Sequence, residues 1–319
     1  MCAIAASPWF GRPAQAADDA SYPNRPIHLI LPSTVGGTSD LLARLVATGL
    51  GEALGQPIVI ESRAGAAGQI AVERVAGSAP DGYTLLLANN GANAIVPAGR
   101  GTSALELQRM FSPVSMLTRL PIVIAVAPTM GIGTLRDLIA HAQREPRALS
   151  YASGGTGSTS HMAAVLLFER AGVRLVHIPY AGTSAALKDV LSGEVPVLFT
   201  HIATIAALMQ SGRLRALAVT GDHRLPEFPD VETVAEAGYP GFDVTTWHGI
   251  VAPANTPQPI VTRLHDELVR LIRKPQMRRQ LAAMGMEPVG STPKQFATAL
   301  DADARRWAEV VHALRTTKE

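Results

Sequence analysis

Two segments carry the residue types that could do chemistry. The first runs Pro32-Ser33-Thr34-Val35-Gly36-Gly37-Thr38-Ser39-Asp40 and the second Ser153-Gly154-Gly155-Thr156-Gly157-Ser158-Thr159-Ser160-His161. Both follow a short apolar run and precede a helical pattern. That placement presents unpaired backbone N–H groups and a partial positive charge, which attract anions. Glycine lets the main chain approach a ligand closely, and Ser and Thr hydroxyls add donors. Neither segment contains Lys or Arg. A phosphate site commonly adds one of these, so the anion indicated is a carboxylate held by amides and hydroxyls. A helix terminus contributes about 0.3–2 kcal/mol and each hydrogen bond to a charged group about 1.5–3 kcal/mol. Several together reach the ~8 kcal/mol of micromolar binding. The candidate contacts are Thr34, Val35, Gly36, Gly37 and Asp40 in the first segment, and Ser153, Gly157, Ser158, Thr159 and His161 in the second. On composition alone, the same segments also read as ordinary strand–helix turns capped by Ser and Thr.

Other chemistries fit less well. Ser158 and His161 could be read as a hydrolase pair acting on a small ester or amide. The chain has no Gly-x-Ser-x-Gly nucleophile elbow, and no acid stands at recognisable spacing to orient the imidazole. Gly155-x-Gly157-x-x-Ser160 is one glycine short of a dinucleotide fingerprint, and no Walker sequence is present. The histidines show no metal-ligand spacing. No metal is therefore expected. Tyr180 and Trp247 could line a cleft, although each also suits a packed aromatic.

The bulk properties narrow the class further. The chain has 319 residues, 47% hydrophobic and 17% charged, which suits a folded protein of two domains. Its 28 Lys and Arg nearly balance 26 Asp and Glu, leaving a formal charge of +2 without long single-sign runs. A nucleic-acid partner is not indicated. Cys2 is the sole cysteine, so no disulfide framework is possible. Met1 to Phe10 is small and apolar, and Ala14-Gln15-Ala16 fits a signal-peptide cleavage site, so residues 1–16 read as a partial signal peptide. Export is expected, and no apolar stretch approaches the ~20 residues that span a bilayer.

Apolar runs at Ile27–Leu31, Ile58–Glu61 and Thr84–Ala88 read as strands, with helices over Asp40–Leu54 and Ile70–Ala76 between them. A second alternating set begins at Thr134–Arg144. It has strands at Leu149–Ser153, Leu175–Ile178, Val195–Thr200 and Leu214–Val219, with helices at Ser160–Ala171, Ala185–Ser192 and Ala203–Gln210. The alternation predicts an α/β protein with two mainly parallel, helix-covered sheets. The long runs Leu120–Ala127 and Val244–Ala252 read as crossover strands, and two or three amphipathic helices from Ile260 to His312 are expected to pack on the first domain. The division that follows is a first domain of 22–122 plus 250–319 and a second of 123–249.

At this level of detail the sequence resembles the Bug-type solute receptors of tripartite tricarboxylate transporters. The resemblance rests on Gly36-Gly37-x-x-Asp40, Glu61-Ser62-Arg63-Ala64-Gly65-Ala66-Ala67-Gly68, Ala79-Pro80-Asp81-Gly82-Tyr83, Gly157-Ser158-x-x-His161, His177-Ile178-Pro179-Tyr180-x-Gly182, Leu214-Arg215-Ala216-Leu217-Ala218-Val219 and Glu287-Pro288-Val289-Gly290. It implies a two-lobed periplasmic-binding-protein fold, type II-like, in a periplasmic monomer without a cofactor. Such a receptor delivers a small organic acid to the transporter's membrane subunits. A sensor presenting its liganded form to a membrane signalling protein would need the same closure. The resemblance adds Asn89, at the strand end Ala88–Gly91, and Tyr180 and Thr183 to the cleft-lining positions. It also exposes a departure: relatives commonly carry Phe-Asp-Asn where this chain has Phe199-Thr200-His201. Thr200 cannot pair with an ammonium group, so the ligand is expected to be a plain mono- or dicarboxylate. His201 reads either as a pH-sensitive contact to the ligand or, as the bland expectation for a single histidine, as a solvated loop residue.

Overall fold

The computed structural model describes residues 22–100, 106, 109–145 and 149–316; the signal-peptide segment and Cys2 lie outside them. The strands β1 (Ile27–Leu31), β2 (Ile58–Ser62) and β3 (Thr84–Asn89) form the parallel part of a first sheet. Side-chain alternation explains why β1 is a buried strand. Ile27, Leu29 and Leu31 enter one apolar cluster, whereas Ile30 enters the cluster on the opposite face. Helix α1 (Thr38–Leu54) packs Leu42, Ala43, Val46 and Leu50 into the first of these clusters and ends on Gly55 in the left-handed conformation. Helix α2 (Gln69–Ala76) covers the other face with Ala71, Val72 and Val75. A π-helical turn over Gly91–Ile95 and the short α3 (Val96–Arg100) follow β3.

The run read as a single crossover strand is divided. β4 (Phe111–Pro121) belongs to the first sheet and β5 (Val123–Val126) to a second. Most of β4 escapes a sequence reading because Pro113, Arg119 and Pro121 interrupt its apolar pattern. The second sheet also holds β6 (Ser150–Ser153), β7 (Val176–Pro179), β8 (Val197–Thr200) and β9 (Arg215–Val219). It is covered by α4 (Leu135–Arg144), α5 (Thr159–Arg170), α6 (Leu187–Ser192) and α7 (Ile202–Gln210). The chain then returns through β10 (Thr245–Pro253), which lies wholly in the first sheet, between β3 and β4.

The two sheets share one plan. The first has the order β2-β1-β3-β10-β4, extended by β11 (Glu287–Pro288), and the second the order β7-β6-β8-β5-β9. In each, three parallel strands are followed by one antiparallel strand, β10 or β5, that adjoins a chain crossing. Both sheets are mixed, as a two-lobed α/β binding-protein fold requires. Buried Thr220 ties the two crossings together. Its hydroxyl accepts the Ile122 N–H at 2.8 Å and donates to the Val244 carbonyl, while the Val244 N–H donates to the Thr220 carbonyl at 2.9 Å.

Three helices close the chain: α8 (Gln258–Arg273), α9 (Pro275–Ala283) and α10 (Pro293–Thr316). The first two pack on the first sheet through Leu264, Leu268 and Leu281. Helix α10 departs from the expectation. Phe296 and Leu300 pack beside Trp247 on the first sheet, but Trp307 joins the cluster that holds Phe199 and Leu217 of the second. A helix of 24 residues is long enough to reach both bodies at ~1.5 Å per residue. Among the described residues, no helix is long and apolar enough to cross a membrane.

Candidate functional site

A cavity of about 450 Å³ lies between the carboxyl ends of the parallel strands of the two sheets. This is where open α/β sheets bind ligands, because helix N-termini point there. Its walls come from the loop after β1 (Ser33–Ser39), the end of β3 (Asn89, Gly91), the loop after β6 (Gly154 and Ser158–Ser160), the turn Ala181–Ala185, and His201, Thr204, Thr246 and His248. No Asp, Glu, Lys or Arg is among the lining residues.

Three helix N-termini therefore meet one cavity. Helix α1 starts at Gly37, whose position has no capping side chain. Helix α7 starts at His201, also without a side-chain cap. Helix α5 starts at Ser158, whose hydroxyl accepts the His161 N–H at 3.2 Å. The third terminus had no Gly-rich signal in the sequence, and α7 was seen only as a helix.

The two loops are built differently. In the first, Asp40 is 3% exposed and accepts from the Gly36 N–H at 3.1 Å and from Arg44 at 3.0 Å. Gly36 has φ +88°, which a side chain rarely tolerates, and Asp40 fixes it there. Asp40 thus lies behind the wall as a brace. The second loop spends most of its donors on itself. The Gly154 N–H donates to Ser160 Oγ, the Gly155 N–H to Ser153 Oγ, the Gly157 N–H to His161 Nδ1, and the Ser158 hydroxyl to the Gly155 carbonyl at 2.7 Å.

Of the residues picked from the sequence, Thr34, Val35, Gly36, Gly37, Asn89, Ser158, Thr159 and Thr183 line this cavity. Asp40, Ser153, Gly157, His161, Tyr180 and Thr200 stand outside its lining. Ser153 is fully buried and bonded to His177 at 2.7 Å. Gly157 has φ +80° and backs onto Val96. The ring of His161 stacks on His177, 4.0 Å between centroids, and lines a separate groove with Tyr151 and Phe168. Tyr180 donates to Asp189 at 2.6 Å. Thr200 is fully buried and donates to Thr183 at 2.7 Å, one layer behind the wall. No Ser158–His161 catalytic pair forms: the Ser158 proton goes to a backbone carbonyl, and the His161 ring accepts from the Gly157 N–H.

His201 corrects an expectation. It is not a solvated loop histidine, because its ring forms part of the cavity wall with Nε2 2.9 Å from Thr246 Oγ1. Beside it stands His248, 1% exposed, with Nε2 2.9 Å from Ser39 Oγ and with Nδ1 lacking a partner. Burial pushes the His201 imidazole down to about 4. It pushes His248 to about 3, with His201 adding a smaller repulsion. His201 is partly open to the cavity, whereas His248 is enclosed. His248, Thr246 and Ser39 were missed as site residues. The first two lie on a strand with no loop signal, and only the antiparallel insertion of β10 brings them to the cavity.

Two polar contacts cross between elements of the two sheets beside the cavity. Thr159 Oγ1 donates to Asn90 Oδ1 at 2.9 Å in a buried position, and His201 meets Thr246. Each bond joins the end of a strand in one sheet to an element of the other, and each is expected to respond to lobe movement.

Comparison with known proteins agrees with this geometry. Residues 42–315 match the family described as "Tripartite tricarboxylate transporter family receptor". The periplasmic binding protein BugD superposes with a TM-score of 0.82 at 30% identity, covering 92% of this chain and 98% of that one. Rpa4515 of R. palustris, solved with adipate, gives 0.86 at 33% identity, covering 91% and 97%. MatC from Rhodopseudomonas palustris, with bound malate, gives 0.81 at 30% identity, covering 91% and 100%. The chain belongs to the TctC/Bug family of periplasmic solute-binding receptors, proteins that bind a solute for transport and do not transform it.

Proposed function

We propose that this receptor takes up a small carboxylate without an amino group and delivers it to the membrane subunits of a tripartite transporter. One observation carries the reading: a cavity flanked by three helix N-termini whose lining contains no Asp, Glu, Lys or Arg and, as ionisable groups, only two histidines that burial keeps neutral. An anion finds dipoles and hydroxyls there, and an ammonium finds no carboxylate. The relatives solved with adipate and malate support the same ligand class. The loops 33–40 and 153–161 are the two grips, with Asp40, Ser153 and Gly157 bracing them from behind. Ordered water bridging the first loop to the ligand is consistent with its uncapped terminus. The receptor acts as a monomer of two lobes; residues 22–122 with 250–319 and residues 123–249 were expected, but β10 pairs along its whole length with the first sheet, so residues 245–249 go with the first lobe. In the pairing of β10, the second crossing falls near Val244.

Calorimetry with a panel of mono- and dicarboxylates, set beside aspartate and glutamate, tests this. Micromolar or tighter binding of a simple carboxylate is expected. Tight binding of the amino acids with none of the simple acids would overturn it.

A further inference from the structure

We propose that His201 and His248 receive a second acidic group of the ligand, and that binding of a dianion there draws one proton from solvent onto the histidine pair. The inference rests on the carboxylate reading above and narrows it to dicarboxylates.

The argument begins with charge. A single carboxylate can be held by N–H and O–H dipoles at helix termini. A dianion brings a second negative charge into the same enclosed space, where uncompensated charge is costly. The lining residues include no Lys or Arg to meet it. The ionisable groups on the wall are His201 and His248 alone, and they are neighbours.

Polar but uncharged groups face the pair from the neighbouring elements. Helix α1 presents Ser39, bonded to His248 Nε2. Strand β3 presents Asn89, which pairs with His248 across the sheet, and β4 presents Thr118. Strand β10 itself presents Thr246, bonded to His201 Nε2. None of these carries charge. The nearest braced carboxylate in the first loop, Asp40, is committed to the Gly36 N–H and Arg44. Burial keeps both rings neutral, and none of these facing groups is an anion that would offset it.

The geometry also leaves room for a proton. Each ring has one nitrogen committed to a hydroxyl. His248 is almost wholly buried, yet its Nδ1 has no partner, an exception among buried polar atoms. An incoming carboxylate beside the pair supplies the negative charge that makes an imidazolium favourable. One proton is taken up and not two, because the charged rings would repel.

Calorimetry of the full chain tests this with adipate and hexanoate as probes, at pH 6.5 and 7.5, in buffers of differing ionisation enthalpy. Both probes are fully ionised there. Adipate is expected to bind up to about tenfold tighter at the lower pH, the limit for uptake of one proton, and to take up close to one proton per site. Hexanoate is expected to show neither effect. His201→Asn and His248→Gln are each expected to flatten the adipate dependence. The buffer comparison on the unaltered protein decides the matter even if a variant fails to fold. Adipate binding without proton uptake overturns the inference, as does binding of hexanoate alone, and in both cases the carboxylate reading stands. Binding of neither acid overturns the carboxylate reading and this inference with it.

Discussion

Replacing Ser158 by Ala separates two roles of one hydroxyl. In the unliganded structure it donates to the Gly155 carbonyl at 2.7 Å and accepts the His161 N–H at 3.2 Å. The second contact is a helix N-cap, whose loss costs about 1 kcal/mol, within ~0.5–2. For a body of this size each kcal/mol lowers the melting temperature by roughly 2–4 °C. The effect on binding follows from an exchange of partners. A hydrogen bond to a carboxylate is worth about 1.5–3 kcal/mol, and swinging the hydroxyl from Gly155 gives up about 0.5–1.5. The net contribution is about 1–2 kcal/mol, a loss of roughly 5- to 30-fold in affinity at ~1.4 kcal/mol per decade. Calorimetry measures the second quantity and a thermal melt the first. Ser158→Thr keeps the hydroxyl and is expected to recover most of both. Unchanged affinity in Ser158→Ala, alongside the expected drop in melting temperature, would show that the hydroxyl only caps the helix and would refute its place in the grip.

Three further substitutions or conditions follow from the same geometry. Gly157→Ala puts a Cβ 2.9 Å from Val96 Cγ2 at φ +80°, so a destabilisation of about 1–3 kcal/mol is expected, measured by denaturant unfolding. Thr200→Asp places a carboxylate at a fully buried position bonded to Thr183; it is expected to lower the melting temperature without conferring aspartate binding, checked by melting and calorimetry together. The unliganded protein is expected to lose stability as pH falls below 6.5. His248 stays neutral in the fold down to about 3 and His201 to about 4, while the unfolded chain protonates both near 6.5. Above 6.5 they leave stability unchanged, and below it each subtracts up to about 1.4 kcal/mol per pH unit. Melting curves at pH 7, 5.5 and 4.5 measure the decline, and an equal decline in the His201→Asn, His248→Gln double variant would contradict the assignment.

The fold was legible where local pattern and tertiary role agree. Strands β1 and β3 are apolar runs because both faces are covered, and α1 shows its apolar stripe because only one side is buried. Strand β4 was lost where they disagree: its Pro113 and Pro121 occur beside a register shift and at the end of the sheet pairing. The Gly/Ser/Thr loops could be found because glycine with Ser and Thr between a strand and a helix marks a helix N-terminus, although composition alone left an ordinary capped turn equally open. Asp40 and Ser153 were expected as ligand contacts and lie behind the cavity wall instead, because sequence spacing cannot tell a brace from a wall. His248 and Thr246 were invisible for a different reason. A strand from late in the chain is inserted beside β3, and nothing local to Thr245–Pro253 records which neighbours it will meet. His201 was misjudged because the loop that holds it abuts β10 across the cavity.

A cavity without cations changes how the two lobes must share the work. One uncapped terminus contributes about 0.3–2 kcal/mol, well short of the ~8 kcal/mol of micromolar binding. The loop after β1 offers the α1 terminus with Ser39, and the second sheet offers the termini of α5 and α7 with their own hydroxyls. Each set alone holds the ligand more weakly than the two together, so affinity is highest when both act at once. Binding is then coupled to the approach of the lobes without a separate device, because a ligand favours closure only by its differential affinity for the closed form. An arginine clamp on one lobe would hold a carboxylate bidentately whether the lobes were apart or together, and it would weaken that coupling. On the proposed reading, the absence of Lys and Arg from both loops leaves either lobe alone with a weaker hold on the solute than the two lobes together.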